Sequence, residues 1–172
     1  AFAPHPYVIV APRDHALVRE RGIALARLVR EPFILREPGS DTRHAMTETL
    51  GRHAAQLNVV LEVKSTETIK QAVIAGMGVA FLSAHTVSRE LRDASLVVLD
   101  VQGFPRLLNW YLVTRRNKRL PPVAQAFRAF LLSEGAELLA RVVPLPKAAA
   151  QAKRSVSRAA SARPSTRRRT PA

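Results

Sequence analysis

The sequence predicts a single α/β domain followed by a disordered basic tail. Three observations carry that reading. Short β-branched apolar runs alternate with stretches of helical period along the first 143 residues. Hydrophobic residues make up 47 % and charged residues 23 % of 172, enough for one core but not for two domains. The last 26 residues hold eight basic residues and no acidic one. Cysteine is absent, which excludes disulfides, thiolate nucleophiles and cysteine-ligated metals. No run of roughly 18 apolar residues is present, so no membrane-spanning helix is expected. The opening AFAPHPYVIVAPRDH has no basic n-region followed by an apolar h-region, so no signal peptide is expected. The expectation is a cytoplasmic protein. Because the chain does not start with Met, it is also expected to be processed or incomplete.

Residues 7–11 are apolar throughout and short, as a strand covered on both faces must be. Leu25, Leu28 and Val29 suggest a short helix that stops before Pro32. A second strand is expected at 33–35. Turn residues follow it, then a helix over 42–55 with Met46, Leu50 and Ala54 at fourfold spacing. A third strand falls at 59–63. Ser65 then caps a helix whose Ile69, Ala72, Val73 and Gly76 share one face. Gly76 and Gly78 end that helix and turn the chain into a buried strand at 79–82. A helix is expected at 85–91 and strands at 96–99 and 107–113. Pro121-Pro122 opens the clearest amphipathic helix, with Val123, Ala126, Phe127, Phe130 and Leu131 on one face. Its pattern continues through Leu138 and Leu139 despite Gly135.

The sequence gives little support to catalysis. The five histidines have no metal-ligand spacing, and no GxSxG elbow or phosphate-binding loop is present. GMG at 76–78 ends a helix, whereas a dinucleotide loop must open one. Neither an enzyme nor a cofactor is expected. A binding site has a better rationale. The strand at 33–35 leads through Pro38, Gly39, Ser40 and Asp41 into a helix that starts near Thr42 and Arg43. A helix N-terminus at the carboxyl end of a buried strand presents unpaired N–H groups and a positive dipole. Gly39 allows close approach, Ser40 and Thr42 supply hydroxyls, and Arg43 is able to fork onto a carboxylate or phosphate. The junction at Ser65 and Thr66 is built alike, and both would open on one crevice. The competing reading is that Ser40 or Asp41 merely caps its helix and Arg43 is solvated.

FILREPGSDTR, STETIKQAVIAGMGVAFLS, LVVLDVQGFP and WYLVTRRNKRLPPVAQAFRAFLL together resemble the C-terminal part of LysR-type transcriptional regulators. The resemblance covers residues 5–134 and is strongest to the CbbR group, which controls Calvin-cycle carbon-fixation operons. It implies a fold like that of type II periplasmic binding proteins, two α/β lobes flanking an effector cleft. Residues 6–106 would form a nearly complete second lobe, 107–134 a crossover strand and returning helix, and most of the first lobe would be missing. The family's effector contacts then map to Pro38, Gly39, Ser40, Thr42, Arg43, Ser65 and Thr66. The effector implied is a small anionic metabolite such as a sugar phosphate or phosphoenolpyruvate, with NADPH sensed by some members. DNA would be read by the full-length regulator, expected to be a homo-oligomer. The winged helix-turn-helix and the linker helix of such regulators are not in this sequence. A periplasmic solute-binding lobe is the alternative, opposed by the missing signal peptide and the arginine-rich tail. A polyanion-binding protein acting through that tail is another.

The tail, 144–172, is marked at its start by Pro144 and Pro146, and its basic stretch from 147 on has one large apolar residue, Val156, too little to offset the entropy of ordering. Lys153, Arg154, Arg158, Arg163, Arg167, Arg168 and Arg169, with Lys147, make it a candidate arm for DNA or another polyanion. Residues 1–146 keep 19 basic and 13 acidic residues, a formal +6. A solubilising role is the alternative. The two readings separate by deletion of 147–172. If the tail is the nucleic-acid element, DNA affinity in the intact chain falls with salt at a log–log slope of about −3 to −4, half the value of about −7 for full engagement of eight charges. The truncated chain then loses most of that affinity and slope. Retention of both would move the assignment to the basic cluster at 115–119.

Overall fold

The computed structural model describes residues 1–115, 117 and 119–143. The basic tail, with Lys153, Arg154, Arg158, Arg163, Arg167, Arg168 and Arg169, lies outside the described residues.

Strand β1 (Ala3–Pro12) is longer than the apolar run at 7–11 that announces it. Pro4 and Pro6 lack an N–H and read as breakers, yet both fit. The Pro6 carbonyl accepts from the Ala84 N–H at 2.9 Å, so the proline edge of β1 faces away from its other neighbour. On that side, pairing with the adjacent strand begins only at Tyr7. The two ring nitrogens therefore interrupt no ladder. Strands β2 (Pro32–Arg36), β3 (Asn58–Val63) and β4 (Val79–Ser83) run parallel to one another. They give the order β3-β2-β4-β1, with β1 antiparallel to β4. The far edge of β1 is shared: β6 (Arg106–Trp110) pairs Ala3–Tyr7, and the short β5 (Leu96–Val98) pairs Val10–Pro12.

Period-two alternation sorts the strand residues into two layers. Tyr7, Ile9, Phe33, Leu35, Val79 and Phe81 join one apolar cluster. Val8, Val10, Ile34, Ala80 and Leu82 join the other. The continuous apolar runs are thus strands buried on both faces, as their composition predicts. Helix α1 (Leu25–Leu28) and α2 (Asp41–Leu50) cover the first face. Helix α3 (Thr66–Ile74) covers the second through Ile69, Ala72 and Val73. Lys70 of α3 is buried against α4 (Ser88–Arg92), its Nζ 2.9 Å from the equally buried Glu90 carboxylate and 2.6 Å from Glu67.

Several expected bounds shift. The helix predicted over 42–55 stops at Leu50, and a 3-10 turn (Gly51–Gln56) takes over. The helix predicted at 85–91 starts only at Ser88, and the strand predicted to reach 113 ends at Trp110. The final amphipathic pattern is two helices, α5 (Pro122–Ser133) and α6 (Gly135–Val142), broken at Glu134. Gly135 sits against the Phe2 ring, where a Cβ would come within 3.2 Å. That contact and the buried Val143 tie α6 to the sheet. Helix α5 buries no residue, and Phe127 is 58 % and Phe130 40 % exposed. Its apolar face has no cover among the described residues.

Gly78, in the turn from α3 to β4, lies where a Cβ would meet the Pro32 carbonyl oxygen at 2.4 Å. Backbone cannot yield there without prising β4 from β2. Gly78→Ala is expected to cost about 1–3 kcal/mol, as overpacking does, measured as a lowered midpoint in urea unfolding.

Candidate functional site

An open cleft of about 740 Å³ lies where the parallel strands end. Its floor is the β2–α2 junction. Arg36 is the last residue of β2, Glu37 follows, and the Pro38-Gly39 turn (Gly39 φ 89°) leads to Ser40, the cap of α2. A second wall is Thr66 at the start of α3, and a third comes from Ser83 and Thr86 after β4. The last wall is β1 with β6: His5, Tyr7, Leu108, Asn109, Trp110 and Tyr111. Ligand crevices of open α/β sheets form at this end of the strands.

The residues expected from sequence divide. Gly39, Ser40, Thr42 and Thr66 line the cleft; Pro38, Arg43 and Ser65 are not among its lining residues. Ser40 and Ser65 act as helix caps, accepting from the Arg43 N–H at 3.1 Å and the Thr68 N–H at 3.2 Å. Asp41 and Glu67 sit in the first turns of α2 and α3, so each helix dipole already faces a carboxylate. Arg43, expected to fork onto the effector, instead donates to the Glu62 carboxylate at 2.7 Å and to the Arg36 carbonyl at 3.2 Å. An opposite charge on β3 captures its guanidinium, and the side chain braces β2 against β3.

The guanidinium in the cleft is that of Arg36, which sequence reasoning passed over. It donates to both Glu37 carboxylate oxygens, at 2.8 and 3.0 Å, and to the Thr66 hydroxyl at 3.2 Å. That pairing holds the Glu37 carboxyl below, and the Arg36 guanidinium above, its ordinary pKa. Its position at the carboxyl end of an apolar strand was the available signal. Burial pushes the Tyr7 phenol above its ordinary pKa beside Thr42, Asp41 and Arg36.

Across the cleft the buried His5 ring stacks on Trp110, centroids 3.9 Å apart, and its Nε2 lies 2.8 Å from the Ser83 hydroxyl. His85 is 5.9 Å away. Burial, then the neighbouring His85, lowers the His5 pKa from 6.5 to about 4. The cluster arises from the β1–β6 register, which opposes His5 to Leu108 and Ala3 to Trp110. Among the described residues, no group of three or more His, Cys, Asp or Glu is placed to hold a metal ion. No helix there is long and apolar enough to cross a membrane.

Comparison with known proteins agrees with this architecture. The family model of the LysR substrate binding domain matches residues 1–136. The chain is 46 % identical over 142 residues to a RuBisCO operon transcriptional regulator of Allochromatium vinosum, covering 83 % of this chain and 47 % of that protein. It is 48 % identical over 138 residues to the HTH-type transcriptional regulator CbbR of Xanthobacter flavus, covering 78 % and 41 %. The chain therefore spans less than half the length of these curated relatives. Among solved structures it is similar to the CcmR regulatory domain of Synechocystis PCC6803 in complex with 2-PG. The TM-score is 0.71 at 39 % identity, over 77 % of this chain and 64 % of that one. The effector binding domain of QuiR, TM-score 0.66 at 19 % identity, shares the fold.

The histidine cluster sets a pH dependence. Because the folded His5 pKa lies below its unfolded value, protonation favours the unfolded chain. This contribution to stability is complete above about pH 6.5 and is lost as pH falls towards about 4. His85, also lowered by burial, acts in the same direction. The lowered Glu37 and Glu67 carboxyls act only below their ordinary 4.5. Urea midpoints should therefore fall between about pH 7 and 5. They should flatten partly in His5→Gln and further in His5→Gln/His85→Gln.

Proposed function

The chain belongs to the LysR substrate-binding domain family, and on that footing we propose that it is the effector-sensing part of a transcriptional regulator of carbon-fixation genes. Its ligand is a small anionic metabolite. The observation that carries this is the Arg36 guanidinium at the end of β2, bonded to the Thr66 hydroxyl in a cleft that Thr42 also lines. An arginine fork in a partly dehydrated crevice is a carboxylate or phosphate receptor. Gly39, Ser40, Thr42 and Thr66 complete the contact surface, while Pro38, Arg43 and Ser65 shape the two junctions from behind. The relative solved with 2-PG makes that compound the first to test.

Residues 6–106 act as one lobe, and the facing wall comes from a part of such regulators that this chain does not span. Effector binding between lobes favours one inter-lobe arrangement, a shift of population rather than catalysis. The full-length regulator, a cytoplasmic homo-oligomer, passes that shift to the domain that reads DNA. No cofactor is needed, and the basic tail adds non-specific DNA contact.

Trp110 is the only tryptophan in the sequence and stands in the cleft wall, so its fluorescence reports binding. Titration with 2-PG is expected to show Arg36→Ala weaker by about 1.5–3 kcal/mol, the range for a hydrogen bond to a charged group. Arg43→Ala should weaken binding less, through loosening of the β2–α2 junction. An unchanged curve for Arg36→Ala would overturn the assignment.

A further inference from the structure

The charge of the cleft runs against an anionic ligand. Among the described residues that line it, Arg36 is the only arginine or lysine, whereas Glu37, Asp41 and Glu48 all line it. The three carboxylates are not equivalent. Asp41 sits in the first turn of α2, where the helix dipole favours it. Glu48 lies 3.3 Å from His44 on the exposed side of the same helix. Glu37 alone occupies Arg36, with one carboxylate oxygen on Nε and the other on a terminal nitrogen. This is the two-bond, side-on geometry that an incoming carboxylate or phosphate would adopt. The third face of the guanidinium is already turned to Thr66. An anion taking this side-on edge of Arg36 must therefore displace a carboxylate held beside it by the chain itself, at high effective concentration.

We propose that Glu37 is a built-in competitor for the effector: its carboxylate holds the Arg36 fork, and the effector binds by exchanging with it. The proposal rests on the reading of this cleft as an anionic-effector site. Glu37 follows the last residue of β2 and its side chain keeps 28 % of its surface in water, so release needs only side-chain rotation into solvent. The exchange sets a concentration threshold, because apparent affinity is scaled down by the fraction of Arg36 that is free. It also sets specificity. A ligand offering a single oxygen replaces two charge-assisted bonds with one and loses the competition. A ligand presenting two oxygens in the plane of the fork wins it.

The test uses the intact chain with 2-PG and, separately, inorganic phosphate, read by Trp110 fluorescence. Wild type, Glu37→Gln, Glu48→Gln, Arg36→Ala and Glu37→Gln/Arg36→Ala are compared, with thermal melts to check folding. Glu37→Gln should bind 2-PG about 5–10-fold more tightly, as expected if a tenth to a fifth of Arg36 is free in wild type. Glu48→Gln removes the same charge from the same cleft and should change affinity less than about twofold, as a general field effect screened by solvent. The gain should vanish in the Arg36→Ala background. In nitrogen-15 spectra, 2-PG should move the Arg36 Nε–H signal of wild type. An equal gain in Glu48→Gln, no gain in Glu37→Gln, or a gain that persists without Arg36 overturns the proposal. If Arg36→Ala weakens binding while Glu37→Gln leaves it unchanged, competition falls and the effector site stands. If neither probe binds wild type or Glu37→Gln, the effector-site reading falls and takes the proposal with it.

Discussion

Strand β1 is constrained on four sides at once. Its side chains are buried on both faces, one edge pairs β4, and the other edge is divided between β6 and β5. Because the side-chain period is two, a slip of one residue would send Tyr7, Ile9 and Ala11 into the wrong apolar layer. The register of β1 therefore fixes how the parallel block β3-β2-β4 stands against β6. The cleft is a consequence of that register. Its β2–α2 floor belongs to the parallel block, and its His5–Trp110 wall belongs to β1 and β6. Loss of the β1 pairing would separate the two walls.

At the β2–α2 junction, ion pairs decide where each of two arginines points. Arg43 is committed to Glu62 and to the Arg36 carbonyl, both parts of the framework. Arg36 is committed to Glu37 and Thr66, both on the cleft surface. The first commitment joins β2 to β3 and the α2 junction, and breaking it would disturb backbone. The second joins two side chains that can be re-partnered without moving any strand. The two arginines, seven apart in sequence, thus differ in what their partners are attached to rather than in chemistry.

Much of the fold was legible because it is written in local patterns. The apolar runs, the caps at Ser40 and Ser65 and the Gly76–Gly78 exit of α3 each rest on neighbours close in sequence. The two strand-to-helix junctions were legible from the same patterns, and of the residues named there Gly39, Ser40, Thr42 and Thr66 line the cleft. Residues whose role depends on a distant partner were not legible. Arg43 finds Glu62 only because β3 pairs with β2, and His5 finds Trp110 only because β6 pairs with β1. Pro4 and Pro6 concealed four residues of β1, since proline speaks against a strand until the open edge is known. The break at Glu134 was hidden because the Phe2 ring that packs on Gly135 comes from the other end of the chain.

One pair in the cleft has the spacing of a catalytic pair but not its surroundings. His5 and Ser83 lie 2.8 Å apart, the distance expected of a base and its nucleophile. A general base works best with a pKa near the operating pH. Burial and the adjacent His85 hold His5 near 4, too weak a base to activate a hydroxyl at neutral pH. The imidazole is also pinned, stacked on Trp110 and packed against Tyr7, and Ser83 is buried with it. The hydroxyl also accepts from the backbone N–H of His85 at 3.3 Å. A neutral, stacked imidazole fixed by a serine is suited to holding Trp110 in place as a rigid wall. The same burial that removes His5 from acid–base chemistry fixes the Trp110 ring beside it, and the relatives with which this chain shares its family are transcriptional regulators.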